Sequence, residues 1–295
     1  MAIYVNTNVS SIIAQNQLSK NTSSVESTMK KLSTGLRINQ AKDDAAGLAI
    51  SESIKAQIRS NTQAISNIQN GLNMIATAEG GTSSATEDIL RIRELCIQAA
   101  NEIYDDEKKQ AIMNEIKQRI ENIDVSAEST TFAGKKMLNG SLTSLTIQTG
   151  ANSDKEINTI DIGPSMTNIH TSAGALDIHL DIIGIASTPS GNQINGANWT
   201  GDDIRAYLDK LDAALDKITF DRSMMGAYSN RMEAISNNMT TMNENFEQTK
   251  SNITDVDVAK ASSDLVKYQI LQQSSASALM NSNQFPQIAL QLLQQ

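Results

Sequence analysis

The sequence is poor in the residues that stabilise small or β-rich domains. It contains one cysteine, 3 prolines and an aromatic fraction of 3% in 295 residues. A single cysteine, Cys96, excludes an intramolecular disulfide and a cysteine-based metal framework. Few prolines and few aromatic side chains argue against an all-β sandwich and favour long helices, in which proline is costly. The chain must therefore gain its stability from packing of aliphatic side chains.

Long apolar runs and basic clusters are also missing. No stretch approaches 18 consecutive apolar residues, so no membrane-spanning helix is predicted. The formal net charge of -9 repels phosphate backbones, and no Lys or Arg cluster overturns this locally, which argues against a nucleic-acid partner. The opening stretch MAIYVNTNVSS lacks the basic and apolar regions of a signal peptide. We expect export, if it occurs, to leave this end uncleaved.

What is present is a strong helical periodicity. Towards the C-terminus an apolar residue recurs at every seventh position for eight heptads, which predicts one long, bundle-forming helix. The members of this stripe are Ile204, Leu211, Ile218, Met225, Met232, Met239, Phe246 and Ile253.

Two further stripes lie in the N-terminal half, and together with the long helix they predict a bundle core. One contains Ile54, Ile58, Ile65, Ile68, Leu72 and Ile75, and the other, which follows the acidic start at Asp105, contains Met113, Ile116, Ile120, Ile123 and Ala127. Between these stripes and the long helix, LTIQT and TIDIG alternate around GANSDKE and predict a β-hairpin. We expect residues 45–164 and 202–253 to form this helical bundle domain, and residues 165–201 to form a short, variable, surface-exposed segment.

Both chain ends carry one-sided apolar stripes with too little partner surface of their own. Burying about ten such side chains at about 2 kcal/mol each does not offset the ordering of some 80 residues at about 1–2 kcal/mol apiece. From Asn281 onward the sequence has no charged residue. We predict that residues 1–44 and 254–295 pair as an inner coiled-coil domain. We also predict that they bury their apolar residues against other copies, because different apolar surfaces at the two chain ends favour open head-to-tail helical polymers. The predicted self-assembly residues are Val5, Val9, Ile12, Leu18, Val25, Met29, Leu32, Leu36, Leu265, Tyr268, Ile270, Leu271, Leu279, Phe285, Ile288, Leu292 and Leu293.

Between the first stripe and the bundle lies the linker LSTGLRINQAKDDAAGLAIS. Gly35 permits a helix exit, Asn39 favours a turn, and Asp43 or Asp44 can cap the next helix. This stretch, which also contains Arg37, closely resembles the signature of bacterial flagellin.

The resemblance covers roughly residues 1–150 and 204–295, with several long motifs in the same order. They include VNTNVSS, EDILRIRELCIQAAN, NEIKQRIENID, FAGKKMLNG, MGAYSNRMEAISNN and QILQQSSASALMNSNQFPQIALQLL. It implies a mainly α rod formed by both chain ends, with a β-hairpin, that assembles into the extracellular filament of the bacterial flagellum, the helical propeller for swimming. It also implies export by the flagellar type III apparatus, a C-terminal export chaperone, and contact with the cap and hook-junction proteins.

A host partner is implied in the same way. Arg91, Leu95 and Glu115 match positions through which flagellins engage the animal Toll-like receptor for flagellin. From the residues alone, Arg91, Arg93 and Glu94 are by default interpreted as a solvated helix face.

Three other interpretations compete with a filament subunit. A hook-filament junction protein shares the N-terminal pattern, and a secreted helical adhesin would form no helical polymer. A filament-borne protease would need metal ligands that the chain lacks, since His170 and His179 are expected in a solvated loop. We expect no catalytic residue, metal or cofactor, and we expect Cys96 to be a buried small hydrophobe.

Overall fold

The computed structural model describes residues 7–166, 168–171, 175–176 and 201–293, and the side chains of all of these except 106, 201–203 and 285–293. Helices dominate the described residues. The α-helices are α1 (Val9–Thr34), α2 (Ala45–Ala99), α3 (Asp106–Ser129), the short α4 (Lys155–Asn158), α5 (Gly201–Thr254) and α6 (Val258–Leu293). The prediction of a mainly α chain is confirmed.

Helix boundaries follow local signals in the sequence. The eight-heptad stripe lies on one helix, as predicted: α5 runs unbroken from Gly201 to Thr254. Asp105 caps α3 by accepting a hydrogen bond from the Lys108 N–H at 3.3 Å. Gly35 ends α1 with a φ of 71°, a left-handed conformation that glycine adopts without strain.

The predicted β-hairpin is present, and a second one was missed. Strands β3 (Thr146–Gln148) and β4 (Thr159–Asp161) pair antiparallel, with Ile147 opposite Ile160. The missed hairpin joins β1 (Thr131–Phe132) to β2 (Lys135–Lys136). Its two turn residues, Ala133 and Gly134, both have positive φ, which is the requirement of a tight two-residue turn. The signal in the sequence is the Ala-Gly pair after a Thr-Thr-Phe run.

Two compact units divide the chain: Met1–Ile58 with Glu244–Gln295, and Arg59–Asn243. The second unit holds the large apolar core, to which α2, α3, α5 and the segments around the hairpins contribute. Cys96 lies fully buried in this core, as predicted. Burial raises the pKa of its thiol to about 12, so that it behaves as a small apolar group.

In the first unit, α1 packs against α6. Asn8 contacts Ser282 and Thr22 contacts Gln272, so the two helices run antiparallel. Among the described residues, no helix is both long and apolar enough to cross a bilayer.

Candidate self-assembly surface

The seam between α1 and α6 combines apolar and polar side chains. Leu18 and Val25 on α1 are half-buried and flank the buried Asn21 at steps of three and four. The Asn21 side-chain amide donates to the Ser275 hydroxyl at 2.8 Å and to the Leu271 carbonyl at 3.2 Å. A heptad seam therefore holds the two chain ends together within one subunit, with hydrogen bonds at its centre.

The predicted assembly residues fall into two groups. Five of them have exposed side chains: Val9, Ile12, Met29, Ile270 and Leu271. Seven are half-buried: Leu18, Val25, Leu32, Leu36, Leu265, Tyr268 and Leu279. Val5 lies outside the described residues, and so do the side chains of Phe285, Ile288, Leu292 and Leu293, although α6 runs through their backbone.

Other exposed apolar side chains on these helices were not among the predicted assembly residues. Ile13 is 63% exposed, Val266 54% and Met280 62%, and Val258 is exposed as well. Val266 and Ile270 are four residues apart and therefore lie on one face of α6. The sequence contained this spacing, but the stronger stripe through Leu265 and Tyr268 obscured it.

Each terminal helix thus presents two different apolar surfaces. One is the seam, which its partner helix within the subunit covers. The other, which we call the outer face, consists of Val9, Ile12 and Ile13 on α1 and Val258, Val266, Ile270 and Met280 on α6, and it is open to solvent in the single chain. Clustered exposed apolar side chains are uncommon on monomeric proteins, so the outer face is the candidate assembly surface.

The linker residues tie the end of α1 to the end of α5. The Arg37 N–H donates to the Thr254 carbonyl at 2.7 Å, and its guanidinium donates to the Ile253 carbonyl. In return, the Val256 N–H donates to the Gly35 carbonyl at 3.0 Å. These bonds satisfy carbonyl groups that the last turn of a helix leaves without partners.

The remaining linker residues make the turn that leads into α2. The Asn39 amide donates to the Leu36 carbonyl and to the Thr34 hydroxyl, both at 2.9 Å. Asp43 accepts from the backbone N–H groups of Asn39 and Gln40, and these bonds hold the pKa of its carboxyl below the usual value. Asp44 accepts from the Gly47 N–H at 2.9 Å, in the manner of a helix cap.

Two of the three residues matched to the receptor surface lie together at the protein surface. The Arg91 guanidinium bridges Glu115 on α3 at 3.1 Å and Glu94 on its own helix at 2.9 Å. The hydrogen bond to Glu94, followed by that to Glu115, raises the pKa of Arg91 further above its usual value.

Leu95 requires a correction. The resemblance implies a direct receptor contact for Leu95, but its side chain is 2% exposed and belongs to the bundle core. The helical period places Leu95 on the same side as the buried Ile92 and Cys96, whereas the neighbouring Leu90 is 45% exposed.

His170 also differs from expectation. Its ring does not lie in a solvated loop but between two carboxylates of α3, with Nδ1 at 3.1 Å from Asp124 and Nε2 at 3.0 Å from Glu128. Glu128 also pairs with Lys136, and the hydrogen bonds from Lys136 and His170 hold the pKa of the Glu128 carboxyl low. In the part of the chain that the structure describes, no three His, Cys, Asp or Glu side chains form a group that could hold a metal ion. His179 lies outside that part.

Paired chain ends that leave apolar outer faces open fit the class of subunits that build homopolymers. Family models agree with this class. The model of the bacterial flagellin N-terminal helical region matches residues 5–143, and that of the C-terminal helical region matches residues 208–293.

Similar proteins match along nearly the whole chain. A flagellin of Bacillus subtilis is 36% identical over 303 residues, which covers 98% of this chain and 99% of that protein. A 33 kDa flagellar filament core protein of Treponema phagedenis is 37% identical over 289 residues, with the same coverage. This chain belongs to the bacterial flagellin family, and it is a structural subunit of the flagellar filament.

The fold also recurs in a solved structure from Vibrio parahaemolyticus that was described as a flagellar hook-associated protein. The TM-score is 0.56 with 13% sequence identity, and the match covers 72% of this chain and all of that one. At this identity the likeness concerns the fold alone.

Proposed function

We propose that copies of this flagellin join through the outer faces of α1 and α6, so that the terminal helices form the inner part of a hollow filament. The observation that carries the proposal is the exposure of aliphatic side chains on a helix pair already held together by its own seam. Ile13, Ile270 and Met280 each leave more than half of their surface in solvent.

The energetics favour association. Burying a Val, Leu or Ile side chain contributes about 1.5–3 kcal/mol, and the outer face offers several of them on each copy. The seam within one subunit leaves these groups in water. A polymer that covers them on every copy gains this free energy repeatedly. A contact between different patches continues into an open helix when its rotation does not close a ring.

The test is seeded elongation of filaments with a matched pair of variants. Ile270→Asp places a charge on the outer face, and Gln273→Asp places the same charge on an exposed polar position of the same helix. We expect Ile270→Asp to stop elongation, because an unpaired charge in an intersubunit core costs several kcal/mol, and Gln273→Asp to elongate normally. Normal elongation of Ile270→Asp would remove the outer face of α6 from the interface.

The rest of the assembly set belongs to the same proposal. Val5 and the C-terminal residues Phe285, Ile288, Leu292 and Leu293 continue the apolar pattern of the two helices in the sequence. We assign them to the same intersubunit core. We also propose residues 1–44 and 254–295 as the inner domain and residues 45–164 and 202–253 as the bundle domain. The prediction that residues 165–201 form a surface-exposed segment is wrong for its first part, because Met166, Ile169 and Leu176 are buried in the bundle core.

Membership of the flagellin family supports a proposal about further partners and about the export route. The proposal includes secretion through the flagellar type III apparatus without cleavage of a signal peptide, and a chaperone that covers the apolar C-terminal stretch before assembly. It also includes contacts with the cap and hook-junction proteins at the ends of the filament. The proposed role is structural throughout, with no catalytic step and no cofactor.

Recognition by the Toll-like receptor for flagellin is proposed for Arg91 and Glu115. Both side chains are exposed and hydrogen-bonded to each other, so they offer charge-assisted bonds to a partner. Leu95 contributes indirectly, because its buried side chain packs α2 into the core. The exposed Leu90, next to Arg91 in the sequence, supplies the apolar contact with the receptor.

The receptor proposal is tested with the unpolymerised protein. Arg91→Ala should weaken receptor binding by about 1–3 kcal/mol, the usual loss at an interface anchor. Arg93→Ala is the control, because Arg93 pairs with Asp212 on α5 instead of Glu115. Equal affinity of the two variants would remove Arg91 from the contact.

A further inference from the structure

Asn21 is an exception in the seam of α1. Leu18 lies three residues before it and Val25 four residues after it, and both are apolar. Asn21 itself is 5% exposed, so its polar side chain is buried at the centre of the helix pair. A buried amide without hydrogen-bond partners destabilises a fold, so the helix that packs against Asn21 must offer it hydrogen-bond acceptors.

The requirement is met by α6. The Asn21 amide nitrogen donates to the Ser275 hydroxyl oxygen at 2.8 Å and to the Leu271 carbonyl at 3.2 Å. Ser275 is itself buried at 9% exposure, and its hydroxyl donates to the Leu271 carbonyl at 2.7 Å. A serine and a carbonyl of α6 thus form a small acceptor site that fits the asparagine.

The apolar residues of the seam cannot provide this selectivity. Contacts of Leu18 and Val25 are non-directional, and an equivalent stripe on another helix would cover them equally well. The requirement matters in the polymer, where many copies of α1 and α6 lie at high local concentration. Two α1 helices from different copies could bury their stripes against each other.

Resting on the proposed assembly function, we propose that Asn21 selects α6 as the partner of α1 and excludes pairing of α1 with another α1. In an α1–α1 pair the amide would lose the acceptors that the Ser275 hydroxyl and the Leu271 carbonyl provide. A single buried asparagine is known to determine pairing in coiled coils at a cost in stability. Asn21 is thus a specificity-determining residue. Its replacement by an apolar residue should stabilise the seam and also allow α1 to pair with another α1.

The experiment uses the full chain with Thr22→Cys and Gln272→Cys, two positions whose side chains are in contact at 2.9 Å. Disulfides are formed in a glutathione buffer so that links report equilibrium pairings, and peptide mapping separates 22–272 links from 22–22 links between copies. The native Cys96 is buried, so it does not compete. The links are mapped in the unpolymerised protein and again after seeding.

With Asn21 present, we expect nearly all of the disulfides to join residue 22 to residue 272. In the Asn21→Leu background the share of 22–22 links should rise about tenfold, while the thermal midpoint stays equal or increases. Ser275→Ala, which removes the acceptor, should shift the links in the same direction. Gln17→Leu is the control, because it adds an apolar side chain at an exposed position of α1 and should leave the links as in the parent.

Two results would overturn the inference. One is an unchanged link pattern in Asn21→Leu. The other is a lower thermal midpoint in Asn21→Leu, which would make Asn21 a stabilising residue without a selective role. Failure of the parent protein to elongate seeds would instead contradict the proposed function, and the links in the unpolymerised protein would still report on partner choice.

Discussion

The Arg119 guanidinium on α3 donates to the Asp88 carboxylate on α2 at 2.8 Å, and Asp88 is 8% exposed. The two helices of the bundle are therefore joined by an ion pair with one largely buried member. A buried carboxylate is tolerated in such a position only because a cation and hydrogen bonds compensate its lost hydration.

The first prediction removes one member of this pair. Arg119→Ala should lower the free energy of unfolding by about 2 kcal/mol, less than for a fully buried pair because Arg119 remains partly exposed. The double variant Arg119→Ala, Asp88→Ala should recover part of the loss, since no uncompensated charge remains. Urea unfolding of the three proteins measures both effects, and no recovery in the double variant would contradict this explanation.

A second prediction follows from the buried thiol. Burial raises the pKa of Cys96 to about 12, so the folded state favours the neutral thiol. Its contribution to stability is complete below the thiol pKa of the unfolded chain, about 8.5, and decreases as pH rises from there towards 12. The stability difference between the parent and Cys96→Ala should therefore shrink between pH 8 and pH 10. Denaturant midpoints of both proteins are measured across this range. If the midpoints change with pH by the same amount in both proteins, the effect is excluded.

Two glycines predict opposite results for the same substitution. An added Cβ at Gly163 would lie 2.5 Å from the Ser144 Cα and 2.7 Å from the Ser144 backbone nitrogen, and backbone cannot move aside easily. Gly163→Ala should therefore destabilise the bundle unit by about 1–3 kcal/mol. Nothing lies within 4 Å of the corresponding position at Gly226, inside α5. Gly226→Ala should stabilise by about 0.5–1 kcal/mol through helix propensity, and thermal unfolding compares the two.

A fourth prediction concerns the order of the chain ends before assembly. The described side chains of α1 and α6 include few that are fully buried, namely Asn21, Ala261, Ser275 and Ser282, so these helices gain little from packing in a single chain. We expect the pairing of the ends, residues 1 to about 40 and 255 to 295, to be marginally stable and to open often before assembly, and to be held closed in the filament. Their amide hydrogens should exchange rapidly in the unpolymerised protein and slowly in filaments. Strong protection of both ends before polymerisation would contradict this.

The last prediction tests the C-terminal stretch. Replacing Leu292 and Leu293 with Asp should abolish polymerisation, because the apolar stripe of this stretch would carry charge into an intersubunit core. The thermal unfolding of the bundle unit should remain nearly unchanged, since that unit has its own core. Electron microscopy of seeded mixtures provides the readout, with normal filaments as the opposing outcome.

Periodicity in the sequence was sufficient to determine the long helices. The heptad from Ile204 to Ile253 predicts α5 because a helix repeats its faces every three to four residues whatever its partners are. The hairpin of β3 and β4, the cap at Asp105 and the helix end at Gly35 are likewise local, since each depends on the conformational preferences of a few adjacent residues. The flagellin family could be recognised from sequence for the same reason, because its motifs are contiguous.

Other features depended on which surfaces the fold brings together. Leu95 and Leu90 have the same side chain on one helix, but only packing against α3 and α5 determines that Leu95 is buried and Leu90 exposed. His170 lies between Asp124 and Glu128 because the chain returns to α3 after more than 40 residues, a distance over which sequence spacing carries no geometric information. Whether an apolar residue of α1 or α6 belongs to the seam or to the outer face is equally a tertiary property. Both faces satisfy a helical period, and the contacts between the helices, such as that of Asn21 with Ser275, show which one the subunit covers by itself.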